Sequence, residues 1–369
     1  MSYGTVQAEK MTTESGYSLG AGNASSFKNR IINGAMTIDQ RNNGAAVTSN
    51  NNTIFSVDRF SYFTNGSATG TLQQSSVAPT GFTNSLLYTI GSGSASGSTT
   101  RAQLIQRIEG SNVADLAWGS ASAKSITLSF WVRSSLTGTF GGVLQNSAQD
   151  RSYPFTYTIN AANTWEYETI TIPGDTSGTW LTGNGSGVQV YWDMGCGSSL
   201  KTTAGAWASG DFRGATGTTS VVAVTGATWQ MTGVQFEVGT VATSFDFRSI
   251  GTELALCQRY YVDLANNGGA TQNTYRAIGF CATYTTTQGS YVAQVPVPMR
   301  TLPSLTQAGT MYLQNLGTTS VSSFAGPYSM AGTIIEGDFT MVGAVTANIT
   351  AILRWNNSST QRFAYSAEL

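Results

Sequence analysis

The sequence predicts an all-β protein: a jelly-roll β-sandwich followed by a smaller C-terminal β-sandwich, with one short connecting helix. Three observations predict this class. Short segments that alternate apolar and polar residues recur along the chain, as half-buried strands do. Glycine contributes 42 of the 369 residues and suits the many turns of such a fold. Only 10 % of the residues are charged, so the Glu- and Lys-rich surfaces of ordinary helices are largely missing.

The chain is long enough for two or three domains, and we divide it into four segments. Residues 1–27 are polar and carry too little apolar surface for a domain, which indicates an arm that orders only against a partner. Residues 28–250 hold the jelly roll, residues 251–262 a helical connector, and residues 263–369 the second sandwich.

In the jelly roll, Gly- and Ser-rich loops separate the predicted strands. These strands cover residues 57–63, 126–133, 155–159, 169–172 and 188–194. A further strand begins at Trp229, breaks its alternation at Gly233 and resumes at Val234. That pattern predicts a β-bulge in a strand with one face on the core and the other in water.

The connector has a helical period. Leu254, Cys257 and Tyr261 recur at helical spacing behind Thr252, a residue type that caps helices. Glu253 in the first turn favours the same start. We therefore expect a helix over residues 252–261.

Strand patterns resume after the connector and predict the second sandwich. They cover residues 277–284, 291–300, 310–313, 339–345 and 350–355. Pro296 and Pro298 each lack a backbone N–H, which indicates that segment 291–300 is an edge strand.

Composition excludes several function classes. The absence of histidine removes Ser-His-Asp and Cys-His nucleophiles, histidine-ligated zinc and imidazole pH switches. Cys196, Cys257 and Cys281 lie far apart, so we expect no metal, no redox centre, no disulfide framework and no cofactor. A formal net charge of −1 and the lack of long apolar runs predict no nucleic-acid partner and no membrane insertion.

Aromatic residues supply the candidate ligand-binding residues, because flat rings stack on the apolar faces of sugars. Trp192 shares its strand face with apolar residues and is predicted to lie in the core. Trp131 and Tyr191 alternate with polar residues, so each needs a partner. That partner is a glycan, a neighbouring subunit or an overlying loop.

Two further candidates, Tyr328 and Trp355, adjoin loops predicted at residues 317–328 and 356–361. A third loop is predicted at residues 266–273. All three loops are rich in Asn, Ser, Thr and Gly, which hydrogen-bond neutral partners adaptably on a rigid β scaffold.

Glycoside hydrolysis needs two Asp or Glu side chains about 5–10 Å apart. Glu166 and Glu168 fall on one face of a strand, a pattern typical of a solvated surface, so we assign no catalytic residue. A structural Ca²⁺ near Asp39 or Asp246 has no ligand loop of recognisable spacing to support it, and we assign no metal site.

Five segments together resemble a module of bacteriophage tail-fibre and related virion proteins, which is similar to carbohydrate-binding jelly rolls. They cover residues 29–34, 57–60, 106–110, 128–133 and 229–261. Residues 295–300 and 363–369 resemble the distal domain of such fibres.

This resemblance implies a non-catalytic tail-fibre subunit that binds a host surface glycan or protein. It implies a homotrimer in the phage tail, assembled in the bacterial host cytoplasm, with residues 1–27 docked on tail or adaptor proteins. The host-contacting surface is then expected beyond the connector, in residues 263–369. Two alternatives stay open: a polysaccharide-degrading tailspike, and a purely structural virion protein such as a head decoration or tail adaptor.

Overall fold

The computed structural model describes residues 27–49, 51–265, 277–314, 319–355 and 362–369, together with the backbone of two short strands near the N-terminus. The chain divides into two compact units: residues 1–250 with Leu369, and residues 251–368. Each unit is built from packed β-sheets, so the predicted all-β class with two sandwiches is confirmed. Among the described residues, no helix is long and apolar enough to cross a membrane.

The first unit contains two large antiparallel sheets. One has seven strands in the order β15-β11-β10-β13-β8-β5-β4, and the other has six in the order β12-β9-β17-β7-β6-β3. The strands are β1 (Lys10–Thr12), β2 (Ser18–Gly20), β3 (Val47–Thr48), β4 (Ile54–Val57), β5 (Phe60–Thr64), β6 (Thr69–Ser75), β7 (Ser85–Ser92), β8 (Ala102–Glu109), β9 (Ile126–Ser134), β10 (Gly138–Gln145), β11 (Arg151–Ile159), β12 (Glu166–Ile172), β13 (Ser186–Asp193), β14 (Lys201–Thr202), β15 (Ala208–Ser209), β16 (Gly214–Ala215) and β17 (Thr228–Val238). Short 3-10 helices cover Gly110–Asn112, Ala114–Leu116, Ser198–Leu200 and Val221–Ala223.

The two sheets pack face to face over one apolar core. β9 shows how alternation produces it, because Ile126, Leu128, Phe130 and Val132 all point inward and are fully buried. Trp192 on β13 is equally buried and packs edge-on against Phe130, with 5.9 Å between the ring centroids. Its predicted core position is confirmed.

Two predictions for this unit are wrong. Residues 57–63 are not one strand, because the chain reverses at Asp58 and at Arg59, whose φ is +71°, and forms a hairpin of β4 and β5. β17 does not keep one face in water. It is buried on both faces along nearly its whole length, because loops cover its polar side chains.

The second unit pairs a six-stranded sheet, β22-β25-β19-β20-β24-β23, with a three-stranded sheet, β18-β26-β21. Its core includes Tyr291, Leu313, Phe339, Leu353 and Phe363. Its elements are α1 (Ile250–Gln258), which begins at the unit boundary, β18 (Tyr261–Asp263), β19 (Ala277–Thr283), β20 (Gln288–Gln294), β21 (Ser304–Ala308), β22 (Met311–Gln314), β23 (Val321–Ala331), β24 (Ile334–Met341), β25 (Thr350–Trp355) and β26 (Arg362–Ser366).

Three local predictions for this unit are wrong. The helix begins two residues before Thr252 and does not reach Tyr261, because Tyr261 pairs with β26 as the first residue of β18. β20 is an interior strand, and it ends before Pro296, since proline has no N–H to give to either neighbouring strand. The loop predicted at 317–328 is mostly strand, because residues from Val321 onward pair with β24.

A prediction about the unit boundary follows from β18. Residues 251–369 expressed alone should fold and should melt roughly 10 °C above residues 263–369, because the shorter chain loses α1, the pairing with β26 and the buried Tyr261 and Val262. Thermal unfolding followed by circular dichroism measures the difference. Equal melting temperatures would show that α1 and β18 contribute nothing to this unit.

Candidate functional site

A cleft of about 540 Å³ lies on the outer face of the six-stranded sheet of the first unit. β9, β12 and β17 form its floor, and residues 80–82 and 242–247 form its walls. Aromatic and small polar side chains line it, and its lining includes no charged residue. The lining residues are Thr80, Gly81, Phe82, Ser129, Trp131, Tyr167, Gly233, Ala242, Thr243, Ser244, Phe245 and Phe247.

Two aromatic rings on neighbouring strands form one side of the cleft. Trp131 on β9 lies directly opposite Tyr167 on β12, and their ring centroids are 5.3 Å apart with the planes tilted by 45°. Trp131 is half-buried and Tyr167 is 43 % exposed. Both rings therefore rest on the sheet and still present a surface to a ligand.

Three phenylalanines form the opposite wall. The ring centroids lie 5.1 Å apart for Phe82 and Phe245, 5.3 Å for Phe82 and Phe247, and 4.8 Å for Phe245 and Phe247. Phe247 remains 62 % exposed. Because each ring contacts the other two, the wall is braced by its own side chains.

Gly233 gives the two sides of the cleft their spacing. The register of β17 against β9 shifts between Thr232 and Gln235, so the β-bulge that the sequence predicts here is confirmed. Gly233 has φ of +62°, and a Cβ on it would lie 2.7 Å from Phe82 Cζ and 3.0 Å from Trp131 Cδ1. Only glycine lets both rings approach the strand this closely.

Buried polar side chains of β17 hold the wall in place. Gln235 Nε2 donates to Glu237 Oε1 at 2.8 Å and to the Thr243 carbonyl at 3.2 Å. Glu237 accepts the Thr243 amide at 2.8 Å and the Thr243 hydroxyl at 2.6 Å. Glu237 is fully buried, so these bonds replace its hydration and tie the wall to the floor.

The electrostatics of the cleft favour an uncharged ligand. Burial raises the pKa of the Tyr167 phenol, the nearby Glu237 carboxylate raises it further, and the Ser129 hydroxyl partly offsets both. Tyr167 therefore stays a neutral hydrogen-bonding group throughout the neutral pH range. Thr80 and Ser244 add exposed hydroxyls at the rim.

Of the four predicted ligand-binding residues, the structure places Trp131 in this cleft. The prediction that Tyr191 binds a ligand is wrong, because its side chain is only 1 % exposed and no ligand can stack on it. Its hydroxyl donates to Gln189 Oε1 at 2.6 Å, and the Arg213 guanidinium lies 5.0 Å above its ring. Of the partners considered for Tyr191, the overlying loop is therefore the one observed.

The other two candidates belong to the second unit. Tyr328 is 57 % exposed on β23 rather than in a loop. Trp355 ends β25, and its side chain lies outside the described residues, as do the loops predicted at 266–273 and 356–361.

Sequence reasoning missed most of the cleft, namely Tyr167 and the three phenylalanines. The available signal was the Phe-Asp-Phe run at Phe245–Phe247, where two apolar residues follow a Thr- and Ser-rich stretch without extending a strand. Phe82 sits in a turn and gave no signal.

The paired carboxylates point away from the cleft. Glu166 and Glu168 lie on the face of β12 opposite to Tyr167. Partial burial raises the pKa of Glu166, but hydrogen bonds from Ala161 and Asn160 outweigh it and bring the pKa below its usual range. Burial and the neighbouring Glu166 raise the pKa of Glu168.

The residues considered for metal binding have protein partners. Asp39 accepts the backbone amides of Asn42 and Gly44, at 2.9 and 2.7 Å, and Asp246 accepts the Asn29 amide at 3.3 Å. Within the described ranges, no group of three or more Cys, Asp or Glu side chains could hold a metal ion.

The three cysteines are buried and form no disulfide. Burial, with a further contribution from Asp193, raises the pKa of the Cys196 thiol well above its usual value. Burial raises the pKa of Cys281 to about 11.

No protein-family model and no curated protein matches this chain. Several solved structures show distant similarity. The enzymatically active domain of tailspike protein 4 from bacteriophage CBA120 is 12 % identical over 58 % of this chain and 22 % of its own length, with a TM-score of 0.33. A CBM4 protein is 14 % identical over 56 % of this chain and 98 % of its own, with a TM-score of 0.28. A family 11 carbohydrate-binding module from Clostridium thermocellum, in complex with a mixed-linked tetrasaccharide, is 9 % identical over 55 % and 98 %, with a TM-score of 0.27.

The spacing role of Gly233 is testable with a matched glycine. Gly226 has φ of +77° and open space where a Cβ would lie, so Gly226→Ala carries the backbone strain alone. Gly233→Ala adds the collision with Phe82 and Trp131, and should lower the free energy of unfolding by about 1–3 kcal/mol more than the control does. Urea unfolding measures both. Equal losses would show that the rings move aside freely.

Proposed function

We propose that this chain is a bacteriophage tail-fibre subunit that attaches the particle to a host surface glycan, and that the aromatic cleft of the first unit holds the sugar without catalysis. The observation that carries the proposal is the uncharged cleft in which Trp131 and Tyr167 face Phe245 and Phe247. Host receptor binding is therefore proposed on the first sandwich.

The chemistry of the cleft suits a pyranose ring. Such a ring has apolar C–H faces and an equator of hydroxyls, so it pairs best with flat aromatic side chains and a few hydrogen-bonding groups. The two sides of the cleft supply the aromatic surface, and Thr80, Tyr167 and Ser244 supply hydroxyls. The volume of about 540 Å³ lies within the range of small-ligand sites, roughly 300–1,000 Å³.

The resemblance to tail-fibre modules supports the same place. Two of the segments that carry it, residues 128–133 and 229–261, contain most of β9 and β17, which form the floor of the cleft. The virion location, the docking role of residues 1–27 and a homotrimeric assembly are part of the proposal. A millimolar sugar site is worth only about 4 kcal/mol, and linking sites raises avidity by roughly 10²–10⁴.

A tailspike that cleaves polysaccharide is the main rival. Glycoside hydrolysis needs two carboxyl groups flanking the bond to be broken. The lining of the cleft contains no carboxylate, and the Glu166–Glu168 pair lies on the other face of β12. These positions favour binding over cleavage.

Substitution of Trp131 tests the proposed site. Trp131→Ala should weaken binding of the chain to immobilised bacterial surface polysaccharide about tenfold, because the stacking surface is lost. Phe280→Ala is the control, since it removes a 74 % exposed aromatic from the second unit. Tyr328→Ala tests the expectation that residues 263–369 contact the host. Loss of binding in Tyr328→Ala with none in Trp131→Ala would move the receptor site to the second unit.

Incubation with a polysaccharide that the chain binds tests the absence of catalysis. We expect no release of reducing sugar over a day, because no carboxylate pair faces the cleft. Release that disappears in Glu168→Gln would instead establish the tailspike alternative, with Glu166→Gln as the companion variant.

A further inference from the structure

The wall of the cleft is hydrogen-bonded to the stretch of chain that precedes β3, the first strand of the two large sheets. We call residues 28–31 the leading segment and residues 242–248 the wall segment. Lys28 Nζ donates to Thr243 Oγ1, and the Asn29 amide donates to Asp246 Oδ2 at 3.3 Å. The Arg248 guanidinium donates back to the leading segment, to the carbonyls of Asn29 and Ile31.

The leading segment is itself bound to the floor strand. β7 pairs with β17 only as far as Met231, and beyond the bulge the leading segment takes its place. Asn29 Nδ2 donates to the Val234 carbonyl at 2.9 Å, Asn29 Oδ1 accepts the Phe236 amide at 3.0 Å, and the Arg30 amide donates to the Phe236 carbonyl at 2.9 Å. The leading segment therefore lies against the floor of the cleft and is hydrogen-bonded to the wall segment.

Thr243 is the junction of these contacts. Its hydroxyl gives its one proton to Glu237 Oε2 at 2.6 Å, so a lone pair remains to accept from the Lys28 ammonium. The hydroxyl thus joins a buried carboxylate to a cation, and each charge strengthens the bond that the other makes. Thr243 is 6 % exposed, and little water is present to replace a lost partner.

We propose that the leading segment positions the aromatic wall, and that sugar occupancy of the cleft is thermodynamically coupled to the order of residues 28–31. The wall has a docked state, with Phe245 and Phe247 packed on Phe82, and a released state. A ligand that contacts those rings binds the docked state. By linkage, whatever holds the leading segment raises the affinity for sugar, and bound sugar tightens the leading segment by the same factor.

The coupling rests on the proposed function for its ligand, but the positioning of the wall does not. Residues 28–31 follow directly on the polar opening of the chain, residues 1–27. Sugar binding in the cleft therefore affects the order of residues that directly follow the segment proposed for virion attachment.

Hydrogen exchange on the full chain tests the positioning without any ligand. Lys28→Met keeps the apolar stem and loses the donor, and should speed exchange of the Thr243 and Asp246 amides by about five- to tenfold. Amides of β9 and the melting temperature should change little. Lys28→Arg should restore slow exchange, and Lys124→Met, an exposed lysine in another loop, is the matched control.

A double-mutant cycle decides whether Lys28 acts through Thr243. If it does, Lys28→Met combined with Thr243→Val should exchange no faster than Thr243→Val alone. Multiplicative effects of the two substitutions, or unchanged wall exchange in Lys28→Met, would overturn the positioning role.

The coupling is tested with an immobilised bacterial polysaccharide that the wild-type chain binds and that the Trp131→Ala variant binds more weakly. Lys28→Met should weaken that binding by up to about fivefold, because part of its wall is released. Saturating polysaccharide should slow exchange of the Asn29–Ile31 amides in the wild type. Unchanged exchange of the Asn29–Ile31 amides at saturating polysaccharide would overturn the coupling alone. A chain that binds no polysaccharide would overturn both the proposed function and the coupling. Hydrogen exchange of the wall-segment amides would still test whether the leading segment positions the wall.

Discussion

The first sandwich depends on the burial of both faces of β17. One face supplies the apolar core, including Trp229 and Phe236, and the other carries Gln230, Gln235 and Glu237, none of them more than 2 % exposed. A buried carboxylate or amide without partners costs several kcal/mol, so the chain must deliver donors and acceptors to this second face. The wall segment does so for Gln235 and Glu237, and Arg133 and Ser85 do so for Gln230. The cleft is the space that remains beside the wall segment.

The two outer faces of the sandwich meet the same requirement differently. Over the seven-stranded sheet, the segment between β13 and β17 folds back over β13 and helps to bury Tyr191 and Asp193. The Lys201 ammonium lies 2.9 Å from the buried Asp193 carboxylate, and Arg213 covers Tyr191. Over the six-stranded sheet the covering segments leave part of the surface open. Aromatic rings rather than ion pairs line that part. That difference leaves the aromatic cleft on the face of the six-stranded sheet.

The sequence could predict what depends on local alternation. β9 and β25 match their predicted segments closely, and Trp131 lies on the polar face of its strand as expected. It could not predict what depends on distant parts of the chain. Tyr191 has the same local pattern as Trp131, yet Arg213, 22 residues further along, covers it. The cleft likewise depends on contact between Phe82 and Phe245, which are 163 residues apart in the chain. The local sequence pattern around either residue does not predict that contact.

The burial of all three thiols has a practical consequence for labelling. Maleimides and similar reagents must reach the sulfur and attack its thiolate, so a buried thiol reacts slowly at neutral pH. A cysteine introduced at an exposed position, such as Thr83 beside the cleft, would therefore react far faster than the native ones. The wild-type background can accept a single fluorophore there without first replacing Cys196, Cys257 or Cys281.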